Sequence, residues 1–313
     1  MTFAFVFPGQ GSQSVGMLNS LAARTEVHAT LQEASDALGE NISKLIAEGP
    51  AEALALTTNT QPVMLTAGVA CYRAWLAAGG PKPSVLAGHS LGEYSALVAS
   101  GVISFKDAVP LVRFRAEAMQ SAVPVGTGGM AAILGLEDAK VIEVCASASK
   151  QSGKIVEAVN FNAPGQIVIA GASEAVAKAC ELLKAAGAKR ALPLPVSAPF
   201  HSSLLKPASE KLKTYLENIE FHVPTIPVIN NVDVSILDNP AAIKDALVRQ
   251  AAKPVRWQET IRAMSARGVI QVIECGPGKV LAGLTKRIDD QLQGMALMDD
   301  ASLMEVMQTL KPR

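Results

Sequence analysis

Four short runs in this chain are apolar almost without a break: FAFVF at residues 3–7, SVLAG at 84–88, IPVINN at 226–231 and VIQVIE at 269–274. A strand with one wet face alternates apolar and polar side chains, whereas a run with no polar face must be covered on both sides. Helices supply that cover, and helix-compatible segments lie between the runs. One, 62–78, opens at Pro62 and stops at Gly79-Gly80, the proline-first, glycine-last order of a helix; another spans 241–251. The expected class is α/β with a mostly parallel sheet.

The middle of the chain has a different rhythm. Strand MAAILGL, helix EDAKVIEVCASASK, strands IVEAVNFN and QIVIAG split by Ala163-Pro164-Gly165, helix SEAVAKACELLKAAG and strand KRALPLPV follow in order. That order, βαββαβ, is the ferredoxin-like pattern. The expected organisation is a large α/β subdomain made of 1–125 and 198–313, interrupted by a small subdomain at 126–197, since loop tips are where such insertions are tolerated.

Charge and cysteine content remove several classes of function. Lys plus Arg (28) balance Asp plus Glu (28), so the chain lacks the basic excess that wraps nucleic acid. Cys71, Cys145, Cys180 and Cys275 stand far apart with no C-x-x-C and no His/Cys cluster, so no metal site and no disulfide framework is expected. The opening MTFAFVFPGQG has no basic leader, and no apolar run is long enough to span a membrane. A cytoplasmic protein with no membrane or nucleic-acid partner, and a monomer, is the expectation.

Gly88-His89-Ser90-Leu91-Gly92 fits G-x-S-x-G, and it sits where that motif works, after an apolar strand and before a helix. Two readings compete for Ser90: a nucleophile displayed on a sharp turn at the positive end of a helix dipole, or an N-cap. An N-cap does not need glycine on both sides, which favours the nucleophile. A serine hydroxyl needs a base. Of the four histidines, His89 adjoins the serine and points elsewhere on a tight turn, His28 reads as surface, and His222 reads as a strand edge. His201, in the proline-studded loop PLPVSAPFHSSLLKP, is the best-mounted base. The loop FPGQGSQSVG fails the dinucleotide spacing because Ser14 stands where the third glycine belongs. As a tight turn after the first strand, it brings the amide of Gln10 towards that of Leu91, the two donors of an oxyanion hole.

These pieces together resemble the acyltransferase family that holds the malonyl-CoA:acyl carrier protein transacylases and the acyltransferase domains of polyketide synthases. The blocks FVFPGQGSQSVGM, TQPVMLTAGVA, AGHSLGEYSALV, AVNFNAPGQIVIAG, AKRALPLPVSAPFHS, PVINNVD, ALVRQ…PVRW and GPGKVLAGLTKRI carry the resemblance over essentially the whole chain. It implies an α/β-hydrolase-like core carrying a ferredoxin-like insertion. It implies Ser90 as the nucleophile, His201 as its base, Gln10 and Leu91 as oxyanion donors, Arg115 as the grip on the malonyl carboxylate, and the Gln250 carbonyl as the group that orients the imidazole. Arg113 and Arg115 point to different sides of a helix, and the resemblance selects Arg115. Asp233 is the carboxylate that a Ser-His-Asp triad would have used, and is ranked below Gln250. Ala116 stands where the family usually has glycine, Pro110 is expected to kink the arginine's helix, and Phe200 is the residue associated with malonyl over branched extenders. No cofactor is implied beyond the substrates, malonyl-CoA and phosphopantetheinylated acyl carrier protein. Carrier proteins are acidic, so Lys189, Arg190, Lys286 and Arg287 are candidates for docking by local charge. The alternatives are a polyketide-pathway acyltransferase, a serine esterase or thioesterase on the same core, and a non-catalytic acyl-binding protein.

Overall fold

A computed structural model describes residues 2–196 and 198–311. Eight strands form in chain order: β1 (Phe3–Phe7), β2 (Val85–Gly88), β3 (Gly128–Leu134), β4 (Val156–Ala163), β5 (Gln166–Ala172), β6 (Arg190–Pro193), β7 (Gln271–Cys275) and β8 (Gln293–Leu297). They make two four-stranded sheets. The first runs β2-β1-β7-β8 with every pair parallel, as the unbroken apolar runs require. All of β1, β2 and β7 is buried. The one acid among them, Glu274 in β7, accepts at Oε2 from the Ala282 amide, 2.9 Å away, near the start of helix Val280–Ile288. Burial pushes its carboxyl up to about 7.

The second sheet runs β4-β5-β3-β6 with every pair antiparallel, the strand order of a ferredoxin-like unit. Helices Asp138–Ser152 and Ser173–Ala185 share an apolar layer with one face of it, through Val141, Cys145, Ala179, Ile133 and Ile169. The other face presents Met130, Val159, Val168 and Ala170 to Leu194, Val196 and Phe200. Backbone hydrogen bonds stitch the small sheet to the large part of the chain: Val255 N–H to Val159 C=O (2.8 Å) and Phe161 N–H to Val255 C=O (3.0 Å). The expected boundary at 197 falls outside the described residues.

The structure corrects several local expectations. IPVINN is not a strand. It runs along the free edge of β2 through a single bridge, Leu86 to Val228, because Pro227 has no N–H to extend the ladder one way and the Asn231 amide donates to Glu93 instead of extending it the other. His222, just upstream, is exposed in an irregular segment rather than at a strand edge. The helix expected to begin at Pro62 begins at Thr57, so Pro62 lies inside Thr57–Ala77. Pro110 likewise lies within one continuous helix, Phe105–Gln120. Both helices are heavily buried, and packing of that extent outweighs the hydrogen bond that each proline forfeits.

Candidate active site

Between the end of β2 and the start of helix Gly92–Ala99 the chain reverses over His89, Ser90 and Leu91. Ser90 takes φ 51, a left-handed conformation that costs a residue with a Cβ roughly 1–2 kcal/mol. Both flanking glycines are needed. A Cβ on Gly88 would lie 1.9 Å from the Gly92 carbonyl carbon, and one on Gly92 would lie 2.0 Å from the Phe7 carbonyl oxygen. Ser90 is not the helix cap, because Leu91 holds that position with no side-chain cap bond. Asn231 braces the turn from both sides: its Oδ1 accepts from the Ser90 amide at 2.8 Å, and its Nδ2 donates to the Gly88 carbonyl at 2.7 Å.

His201 also has a left-handed backbone, φ 65. Its Nε2 lies 2.7 Å from Ser90 Oγ and its Nδ1 lies 2.8 Å from the backbone carbonyl of Gln250. A carbonyl only accepts, so the ring proton sits on Nδ1 and the Nε2 lone pair faces the serine hydroxyl. Burial, and then the charge of Arg115, hold His201 down to about 3, so the imidazole is neutral. Asp233 takes no part: its carboxylate forms a two-pronged pair with Arg249 at 2.8 and 2.7 Å. His89 points away from the serine, with Nε2 at 2.8 Å from Asn162 Oδ1 and its ring beside Trp257.

Arg115 is 1% exposed. Its Nη1 donates to Gln61 Oε1 at 2.6 Å, and its Nη2 to Gln250 Oε1 at 2.9 Å and Ser90 Oγ at 3.2 Å. Its carbon lies 5.2 Å from the centre of the Tyr94 ring. Among the described residues no carboxylate comes within ion-pair distance of it, and its Nε meets no acceptor. Arg113, two residues earlier, points outward into a two-pronged pair with Glu40. A buried guanidinium whose hydrogen-bond partners are all neutral, aimed at the serine, has the chemistry to receive an anion there.

A cavity of about 140 Å³ opens over these groups, walled by Met119, Met130, Leu194, Val196 and Phe200. Gln10 and Leu91 line it, and among the described residues no backbone carbonyl accepts from either amide. The Gln10 side chain is held by Thr57, whose hydroxyl donates to Gln10 Oε1 at 2.7 Å and accepts from Gln61 Nε2 at 3.2 Å. The arrangement can take a proton from a serine, fix a carboxylate and offer two amides to a developing oxyanion.

The four basic residues suggested by local charge do not line the cavity. Three gather at the far end of the small sheet from Met130: Lys189 packs on Gly135, Arg190 pairs with Leu134, and Arg287 donates to Gln166 at 2.6 Å. Lys286 is exposed on helix Val280–Ile288. Sequence reasoning assigned no role to Gln61, Asn231 or Glu93, all buried. Their only signal is an amide or acid inside an otherwise apolar stretch, where a polar group must find partners.

The fold and the site define a class of enzyme: the chain belongs to the acyl transferase domain family, which it matches over residues 4–312. Within that family it is similar to several malonyl transferases. It is 56% identical over 302 residues, 96% of this chain and 97% of the relative, to the malonyl CoA-acyl carrier protein transacylase of Salmonella typhimurium, and 47% identical over 309 residues (98% and 97%) to that of Bacillus subtilis. It superposes with TM-score 0.97 on an acyl-carrier-protein S-malonyltransferase of Burkholderia pseudomallei, at 67% identity, covering 98% of this chain and 100% of that one. It also superposes with TM-score 0.97, at 53% identity over 99% and 100% of the chains, on a malonyl-transacylase in complex with a type II polyketide acyl-carrier protein. Among the described residues no helix is long and apolar enough to cross a membrane.

Proposed function

We propose that the protein transfers the malonyl group from malonyl-CoA to the pantetheine thiol of acyl carrier protein, supplying extender units for fatty acid synthesis, through a malonyl ester on Ser90. In the first half, Ser90 Oγ attacks the thioester carbonyl as His201 Nε2 takes its proton. The tetrahedral oxyanion is held by the amides of Gln10 and Leu91, the C–S bond breaks, and the His201 proton leaves with the CoA thiol. In the second half the carrier's thiol gives its proton to His201, the sulfur attacks the ester, and Ser90 regains its hydrogen. The Gln250 carbonyl stabilises imidazolium less than a carboxylate does, which suits a thiolate leaving group.

One observation carries the malonyl assignment: the buried Arg115 guanidinium, 3.2 Å from Ser90 Oγ, donates only to neutral groups among the described residues, with no carboxylate in ion-pair reach. The substrate's carboxylate supplies that partner. It also cancels the charge that, after burial, does most to hold His201 down, so binding the right acyl group strengthens the base. Phe200 on the cavity wall crowds a branched acyl chain. A cytoplasmic setting accords with four cysteines that are all free. Docking of the acidic carrier at Lys189, Arg190, Lys286 and Arg287 is part of the same proposal, these being exposed cations. A polyketide carrier is the second acceptor to test, given the 53% identical relative bound to one.

Incubation with malonyl-, methylmalonyl- and acetyl-CoA, followed by intact-protein mass spectrometry, tests the scheme. A malonyl adduct is expected on Ser90 and absent from Ser90→Ala. Arg115→Ala is expected to lose roughly a hundredfold or more in malonyl loading while keeping acetyl loading. A malonyl adduct persisting on Ser90→Ala would overturn the nucleophile, and equal loss of both acyl groups in Arg115→Ala would overturn the carboxylate grip.

A further inference from the structure

One buried acid has no part in the scheme above. Glu93 lies three residues after Ser90 on helix Gly92–Ala99 and is 2% exposed. A single atom, its Oε2, accepts from the backbone amide of Asn231 at 3.0 Å and from Gln250 Nε2 at 3.0 Å. These are the residues on which the site's geometry hangs. Asn231 braces the Ser90 turn through its amide and carbonyl contacts. Gln250 holds His201 by its backbone carbonyl and Arg115 by its side-chain oxygen, and its Nε2 also donates to the Ser90 carbonyl at 2.9 Å. Asn231 and Gln250 come from different segments, and Glu93 joins them to the serine's own helix.

We infer that Glu93 is a positioning residue of the acyl transfer: by receiving both donors on one oxygen it locks the Ser90 turn, the His201 ring and the Arg115 guanidinium in a single register. The inference rests on the roles proposed above for those three residues. What matters is reach, not charge. Burial pushes the Glu93 carboxyl up to about 7, opposed by its bonds to Asn231 and Gln250 and by the Arg115 charge. The groups that face it are Arg115 and, more weakly, Asp233. A neutral acid or an amide keeps an oxygen in the same place and still accepts twice, while a shorter acid does not reach both donors.

The discriminating pair is therefore Glu93→Gln and Glu93→Asp. Both are assayed for kcat and KM with malonyl-CoA and acyl carrier protein, and for the rate of labelling by a fluorophosphonate, which reads the Ser90–His201 pair without a malonyl carboxylate to be bound. Glu93→Gln is expected to stay within about threefold of the parent in every measure, and Glu93→Asp to lose about a hundredfold in kcat and in labelling rate, with little change in KM, the loss typical of a misplaced catalytic group. Parent-like labelling of Glu93→Asp, or equal losses in both variants, would overturn the inference. If Ser90→Ala is labelled as fast as the parent, the nucleophile assignment itself is wrong, and the two failures are told apart.

Discussion

Ser90 and His201 both stand on left-handed backbone, φ 51 and 65, and the only other described non-glycine residue in that region is Val234. Strain of this kind persists only where the surroundings over-determine it. Here the surroundings are visible: Asn231 on either side of the serine, and a carbonyl on the far nitrogen of the histidine. Hydrogen-bond direction then fixes the tautomer and leaves no role for a carboxylate behind the ring. Asp233→Asn is accordingly expected to leave kcat unchanged and to cost under about 1 kcal/mol in urea denaturation, because it breaks only a partly exposed pair with Arg249. A large drop in kcat with stability intact would place Asp233 in the reaction.

At the scale of elements, the turn from β2 into helix Gly92–Ala99 is where backbone passes closest to backbone. Alanine at 88 would drive its methyl into the Gly92 carbonyl carbon, and alanine at 92 into the Phe7 oxygen of β1, neither of which can swing aside as a side chain can. Each substitution is expected to cost roughly 4 kcal/mol or more in urea unfolding or to prevent folding, an exceptional penalty for one methyl. A stable, active Gly92→Ala protein would mean that the helix can slide on the sheet. The two prolines teach the converse lesson. Pro62 and Pro110 look like start and break signals, but each sits inside a helix whose buried face decides its length. Extended residues 226–231 miss strand status for the opposite reason, since Pro227 withholds a donor from the edge of β2 at one end and the Asn231 amide goes to Glu93 at the other.

Across the whole molecule, four titratable groups shifted chiefly by burial oppose one another in their effect on stability. Glu93 and Glu274 are both raised to about 7, chiefly by burial. Between the ordinary carboxylate pKa and 7 the folded state binds the extra proton, so their contribution is present at low pH and is lost as pH rises through 7. His201, lowered to about 3, and His89, also lowered by burial, act the other way. The unfolded chain takes up their protons below the usual histidine pKa, so stability falls as pH drops from there towards 3. Glu274 lies away from the cavity, and Glu274→Gln keeps an oxygen for the Ala282 amide. Its thermal stability is expected to decline less than the parent's between pH 5 and 8, by on the order of 1–3 kcal/mol. Parallel curves would show that Glu274 is ionised throughout.

The amino-acid sequence by itself determined what neighbours along the chain decide: a parallel sheet from runs with no polar face, a βαββαβ unit from element order, and a serine on a strand-to-helix turn from two glycines. A proline-studded loop marked His201 as the base, and the resemblance to a family added Gln250 and Arg115. Only the tertiary structure decided which distant groups meet. Ser90 reaches His201 across 111 positions and Asn231 across 141. It turned Arg115 inward and Arg113 outward, gave Nδ1 of His201 a carbonyl in place of Asp233, and set Glu93 between a loop and the end of a helix. Local sterics are written in consecutive residues, whereas a contact between remote side chains depends on how helices rotate and pack against the sheet, and no short stretch encodes that.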